Sequence, residues 1–261
     1  MDSNRIEKHG KNANVEQIQK QHYDAITSQY TNHYGDAWSR KYRYRFINEP
    51  MCNNIDLSGA NVVDAMCGSG EVTRYLLKKG ARVTGVDISP EAIRYFQKRF
   101  SGCIGKCASI LSSGLESNSY DCVVVGGALH HLHPNVLDGV KEIHRILKVG
   151  GYFCFMEPHE GSLPDQVRKL WYKHDNLNME NEAAINLTEI KSKFSSKFKF
   201  VKESYGGNIA YLLVFNSLMF RIPLRAKPIY SPLLIAIESM MEKTQGKLFS
   251  CFVVCQWKKV C

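Results

Sequence analysis

Between about residues 61 and 157, short continuous apolar runs alternate with longer amphipathic stretches. Val62-Val63-Asp64-Ala65, Arg82 to Val86, Tyr120 to Val125 and Tyr152 to Met156 are apolar over lengths that suit strands. Between them, Glu71 to Lys79 reads as a helix closed by Gly80, and Val136 to Lys148 as another, followed by Gly150-Gly151. Ser89-Pro90-Glu91 opens a third helix, because serine caps the free N–H groups and proline fits the first turn. Strands that are apolar on both faces and alternate with helices predict a parallel sheet covered on both sides.

The flanks break this pattern. From Val15 to about Ile47 the chain reads as helical and rich in aromatic residues, and Arg40 to Arg45 packs four positive charges into six residues. In the last third, Lys197 to Lys202 alternates lysine with Phe or Val, which predicts a strand with one wet face, and Leu248 to Trp257 predicts a final strand. Tyr205 to Ile237 holds no acidic residue, three basic residues and three prolines, and reads as a helical insertion between these two strands. The expected organisation is one domain: a helical cap (1–55), a core (56–204), the insertion (205–247) and the last strand (248–261).

Composition adds limits. The 261 residues include 34 Lys+Arg against 25 Asp+Glu, a formal charge of +9, with 44% hydrophobic residues. That excludes a disordered or collagen-like chain and permits an anionic partner without requiring one. Residues 1 to 20 lack the apolar stretch of a secretory signal, and nine scattered cysteines, several inside apolar runs, suit reduced buried thiols. A cytoplasmic location is therefore expected. Cys103/Cys107 and Cys251/Cys255 lack the usual spacing of zinc knuckles, and no metal site is assigned.

The chemistry concentrates in Asp64-Ala65-Met66-Cys67-Gly68-Ser69-Gly70, a glycine-bearing turn between a strand and a helix. A ligand approaches backbone closely where side chains are absent, and the helix that follows offers unpaired N–H groups. The second strand ends at Asp87, 23 residues beyond Asp64. An acid there can accept hydrogen bonds from ribose hydroxyls, so turn and acid together predict a nucleoside-type ligand. The missing third glycine argues against a nicotinamide dinucleotide.

Residues 61–158 resemble the core of class I S-adenosylmethionine-dependent methyltransferases of the type 11 kind. The resemblance rests on Asp64-x-x-Cys67-Gly68-x-Gly70, on Ser119-Tyr120-Asp121-Cys122-Val123-Val124 leading to Leu129-His130-His131-Leu132, and on Arg145 to Gly151. It implies a Rossmann-like, doubly wound α/β sheet of about seven mostly parallel strands, the last one antiparallel, with S-adenosylmethionine as cofactor. It also implies roles. Asp64 and Ala65 would lie at the turn near the methionine amino group, and Gly68 and Gly70 would let the turn pass under the cofactor. Asp87 would hold the ribose and Ile88 would pack on the adenine. Ser109 and Ile110 would meet the adenine edge, and Gly126 would present backbone to the methionine end. The family usually has glycine where Met66 stands and aspartate where Ser109 stands.

The expected activity is methyl transfer to oxygen or nitrogen of a small-molecule acceptor. A hydroxyl acceptor profits from a base. His130, His131, His133, Glu157, His159 and His174 follow strand ends, and His131 and His159 are the expected catalytic pair. The alternative is that the paired histidines only pack and cap. In the family, insertions such as 205–237 shape the acceptor pocket. This one is apolar, basic and acid-free, so the acceptor could be lipid-like and the segment could touch an anionic membrane. Rival readings are an RNA methyltransferase, with Arg40 to Arg45 and its tyrosines on the bases, and a non-catalytic sensor of the cofactor. Nucleic acid is the weaker partner, since one short basic run is its main support.

Overall fold

In the computed structural model, which describes residues 33–172, 183–242 and 244–261, the apolar runs become a sheet of seven strands in the order β3-β2-β1-β4-β5-β7-β6. The strands are β1 (Asn61–Ala65), β2 (Arg82–Asp87), β3 (Ile104–Cys107), β4 (Tyr120–Gly126), β5 (Leu147–Glu157), β6 (Phe198–Gly206) and β7 (Phe252–Lys259). The first five run parallel, and β7 inserts antiparallel between β5 and β6. Strand order reverses between β1 and β4, the place where open parallel sheets leave a crevice at their carboxyl ends.

Several expectations change. β3 escapes a search for apolar runs because it is a short edge strand whose Ile104 faces solvent. β5 begins at Leu147, so the preceding helix ends at Ile146, and Gly150-Gly151 lies inside the strand. Gly150 has φ +82°, and a Cβ on Gly151 would sit 3.0 Å from the Asp121 carbonyl oxygen; the pair marks an irregularity where β5 meets β4. Leu248 belongs to a short 3₁₀ turn, Lys247–Phe249, and β7 starts only at Phe252. The N-terminal helix is a new start at Ala37. The Asp36 carboxylate caps it by accepting from the Trp38 and Ser39 amides at 2.8 and 3.2 Å. The part of that predicted helix before residue 33, and His174, lie outside the described residues.

Helices cover both faces. α1 (Ala37–Tyr42) runs through a π-helical turn, Arg43–Asn48, into α2 (Glu49–Cys52). α3 (Thr73–Lys78), shorter than expected, and α4 (Pro90–Arg99) follow, then α5 (Val136–Ile146), α6 (Leu163–Tyr172), α7 (Leu187–Phe194) and α8 (Lys227–Met241). Strand alternation sorts the side chains into two cores. Val63, Val123, Phe153 and Trp257 pack with α5 and α7, whereas Val62, Val124, Met156 and Val254 pack with Tyr42, Phe46, Tyr75 and the insertion's Val214 and Phe215.

The insertion is helical, as expected: a π-helical turn Tyr211–Phe215 precedes α8. Polar pins hold it to the cap. The buried Glu238 carboxylate accepts from the Tyr42 hydroxyl and from the Ala210 and Tyr211 amides. The buried Lys227 ammonium donates to Asp36 Oδ2 and Ser39 Oγ, each at 2.7 Å. Cap and insertion thereby form one roof over the carboxyl ends of the strands.

Trp257 is fully buried at the centre of an aromatic cluster with Phe153, Phe155, Phe198 and Phe200. Trp257→Ala should destabilise the fold by about 3–5 kcal/mol, read as a fall in the urea midpoint at unchanged slope.

Candidate active site

The turn after β1 is held from the neighbouring strand. Asp87, at the end of β2, accepts the Gly68 N–H at 2.8 Å through one oxygen and the Ser89 N–H at 2.9 Å through the other. The Cys67 amide donates to the Val86 carbonyl, and Gly70 closes the turn onto Cys67. Asp64 braces the segment that follows the turn. Its buried carboxylate accepts the Thr73 hydroxyl at 2.6 Å and so anchors the start of α3.

The glycines do different things. Gly68 has φ +53°, and a Cβ there would meet nothing within 4 Å. Because Gly68 lines the cavity described below, a side chain would occupy ligand space. Gly70, at φ +86°, turns its bare face onto Phe100, whose ring would lie 2.3 Å from a Cβ; its requirement is packing against α4. Met66 adopts φ +56°, a left-handed conformation that costs an ordinary residue about 1–2 kcal/mol.

A cavity of about 860 Å³ opens above this turn. Of the sequence-predicted residues, Asp64, Gly68, Asp87, Ile88, Ser109, Ile110, Gly126, His131 and His159 line it. Ala65 is buried in the core on the Val63 side and Gly70 faces Phe100, so neither borders the cavity. The Ser109 hydroxyl oxygen caps a 3₁₀ turn by accepting the Leu111 amide. The far wall comes from the cap and the insertion, including Tyr34, Arg43, Tyr211, Phe215 and Met219.

Two charged groupings were not anticipated as such. Arg43, one of the four positive charges between Arg40 and Arg45, is buried and pairs with Glu71 at 2.7 Å. Arg99 pairs with the same carboxylate at 3.0 Å, and Ser69 donates to it at 2.8 Å. Burial pushes the Glu71 carboxyl up, but the two guanidiniums outweigh it and hold the group below the usual range. This network ties the cap to the glycine turn. The sequence hint was an acid directly after Gly70.

The second grouping sits at the end of β5. The Glu157 carboxylate is fully buried and accepts the Ala128 and Leu129 amides at 2.7 and 2.6 Å. Its other oxygen lies 2.7 Å from His130 Nδ1. Burial pushes Glu157 up to about 7, against the backbone amides that favour its charge. His130 also lines the cavity, and its ring centroid lies 3.9 Å from that of His131 with the two planes tilted by 41°. His159 is buried between the Glu160 carbonyl, 3.2 Å from Nδ1, and the Ser250 hydroxyl, 3.3 Å from Nε2, and burial lowers its pKa. All three histidines therefore border the cavity, but the carboxylate partner belongs to His130. Glu157 stood among the sequence candidates; its pairing did not, since 27 residues separate the partners.

Residues 63–155 match the protein family described as Methyltransferase domain. An uncharacterized methyltransferase of Synechocystis sp. is 33% identical over 121 residues, covering 45% of this chain and 56% of its own length. A demethylmenaquinone methyltransferase of Staphylococcus haemolyticus is 31% identical over 123 residues, covering 44% of this chain and 51% of its own length. The chain thus spans about half the length of the curated relatives it matches. Among solved structures, magnesium protoporphyrin IX methyltransferase from Synechocystis PCC 6803, with bound SAH, superposes at a TM-score of 0.63 and 12% identity. That match covers 95% of this chain and 100% of the other, and at such identity it is a likeness of fold.

Burial also pushes Asp64 up to about 7, against its hydrogen bond from Thr73. In the unfolded chain the same carboxyl ionises near pH ~4. Between these values the folded state holds more protons, so stability falls as pH rises and the loss is complete above about 7. Asp64→Asn should remove its share of that slope, up to about 4 kcal/mol. Urea unfolding at about pH 5 and about pH 8 should show a smaller gap in the variant than in the wild type.

Proposed function

We propose that this chain, whose residues 63–155 are a methyltransferase domain of the class I S-adenosylmethionine-dependent kind, moves a methyl group to a hydroxyl of a small apolar acceptor. The observation that carries the reading is that one cavity joins the glycine turn and Asp87 to the apolar wall of the insertion. A cofactor at one end and an acceptor at the other would share a single enclosed space.

The residues fit the cofactor. The bare face of Gly68 leaves room in the cavity where any other residue would fill it. A carboxylate has about four acceptor sites, so Asp87 can brace the turn and accept ribose hydroxyls as well. Ile88 would pack on the adenine, Ser109 and Ile110 would border its edge, and Asp64 and the Gly126 backbone would lie toward the methionine end. When bound, the cofactor supplies the electrophile, a methyl group on a sulfonium sulfur.

The chain's own residues then have three tasks. Arg43, paired with Glu71, holds the cap against the turn. Tyr211, Phe215, Leu218 and Met219 offer the acceptor an apolar wall. His130, oriented by Glu157, takes the acceptor's proton, with Nδ1 turned to the carboxylate and Nε2 as the basic atom. His131, tilted against it, and His159, set deeper beside Ser250, would position the acceptor.

Calorimetry should find S-adenosylmethionine binding to the wild type, and Asp87→Ala should weaken it by at least about 100-fold. A radiolabelled methyl group should then appear in a lipid or small-metabolite fraction. Label confined to RNA would overturn the acceptor class, and no label in any fraction would favour a sensor. His130→Gln should lower turnover on the order of 10²- to 10⁴-fold at unchanged cofactor affinity. Undiminished turnover would remove it as the base.

A further inference from the structure

Helix α8 is inverted relative to an ordinary surface helix. Its two charged residues, Lys227 and Glu238, are buried, along with Ser231. Every exposed position on it is apolar. Ile229, Leu233 and Met240 stand 84%, 64% and 80% exposed, and Ile237 and Met241 complete the stripe. These positions recur at spacings of three and four, so they form one face about 18 Å long, opposite the polar pins. A surface helix normally turns its apolar stripe inward. Here hydrogen bonds to Asp36, Ser39 and Tyr42 hold the polar side in and present the apolar side to the outside.

Apolar exposure continues at the cavity. Leu163 and Val167 of α6, with Phe220 and Phe249, are exposed and also line it. Exposed Arg221 and Arg225 lie just before α8, and exposed Lys247 lies beyond it. The run from Tyr205 to Ile237 has no acid, and Glu242, just past the helix, faces Arg45 at 3.9 Å. An apolar face with basic residues at both ends matches an anionic lipid surface: acyl chains for the stripe and phosphates for the guanidiniums.

We infer that α8 lies on an anionic phospholipid bilayer and that the apolar rim of the cavity draws its acceptor from that layer. Among the described residues no helix is long and apolar enough to cross a membrane, so the contact is peripheral. The inference rests on the proposed function for the meaning of the contact, and not for the contact itself.

Flotation without cofactor separates the two. The full chain is mixed with vesicles of phosphatidylcholine alone, or with a quarter of the lipid replaced by phosphatidylserine. The wild type should float with the anionic vesicles and stay down with the neutral ones. Leu233→Asp with Met240→Asp should abolish flotation, and Arg221→Gln with Arg225→Gln should weaken binding about 30-fold. All four side chains are exposed, and an unchanged urea midpoint together with retained S-adenosylmethionine binding shows that the fold and the cofactor site persist. A wild type left at the bottom of both gradients overturns the inference, as does equal flotation of all variants. So does a light-scattering dimer that Leu233→Asp splits while nothing floats, because a second copy would then cover the face. Loss of cofactor binding in wild type that still floats would instead sink the proposed function and leave the docking intact.

Discussion

A single carboxylate sets the geometry on which the site depends. Asp87 belongs to β2, yet its side chain reaches the turn that follows β1 and accepts the Gly68 amide. The two strands are already parallel neighbours, so the bond adds little to sheet order. What it adds is the shape of the turn. A charge-assisted bond to backbone is stronger than a neutral one, and it binds the loop where a residue without Cβ leaves ligand space open. The same carboxylate caps the path into α4 through Ser89. A change in this acid would therefore alter the ribose end of the cavity and the turn beneath it together.

Around that centre, charge is used as internal fastening. Arg43 and Arg99 converge on Glu71, Lys227 sits between Asp36 and Ser39, and Glu238 gathers Tyr42 with two backbone amides. Buried charges are tolerable only when paired, and losing one partner costs more than the pair contributes. These links join cap, insertion and core across long sequence separations. They also explain why the outer side of α8 is free to be apolar, since the charged groups of that helix are engaged inside.

The sheet was largely legible because its central strands are buried on both faces and read as unbroken apolar runs. The Ser89 cap, the glycine turn and the acid at position 87 were equally plain, since each is a local requirement of backbone geometry. β3 was not legible, because an edge strand needs no two-sided burial. The end of α5 was misplaced because Gly150-Gly151 resembles a helix stop, whereas the residues serve an irregularity within β5. Gly70 resembled a ligand-facing glycine, and its true neighbour, Phe100, comes from the far end of the next helix but one.

The amino-acid sequence by itself determined the α/β class, the order of elements in the core, the antiparallel last strand and the position of the nucleotide-type turn. The class, the order of elements and the turn follow from periodicity and from residues that only one backbone conformation suits, whereas the antiparallel last strand is what the family resemblance implied. Tertiary structure decided which charged groups meet. It turned Arg43 inward to Glu71, gave the buried carboxylate to His130 rather than to His131 or His159, and set the apolar side of α8 outward. Such pairings depend on distances between segments tens to hundreds of residues apart, and no local pattern carries that information.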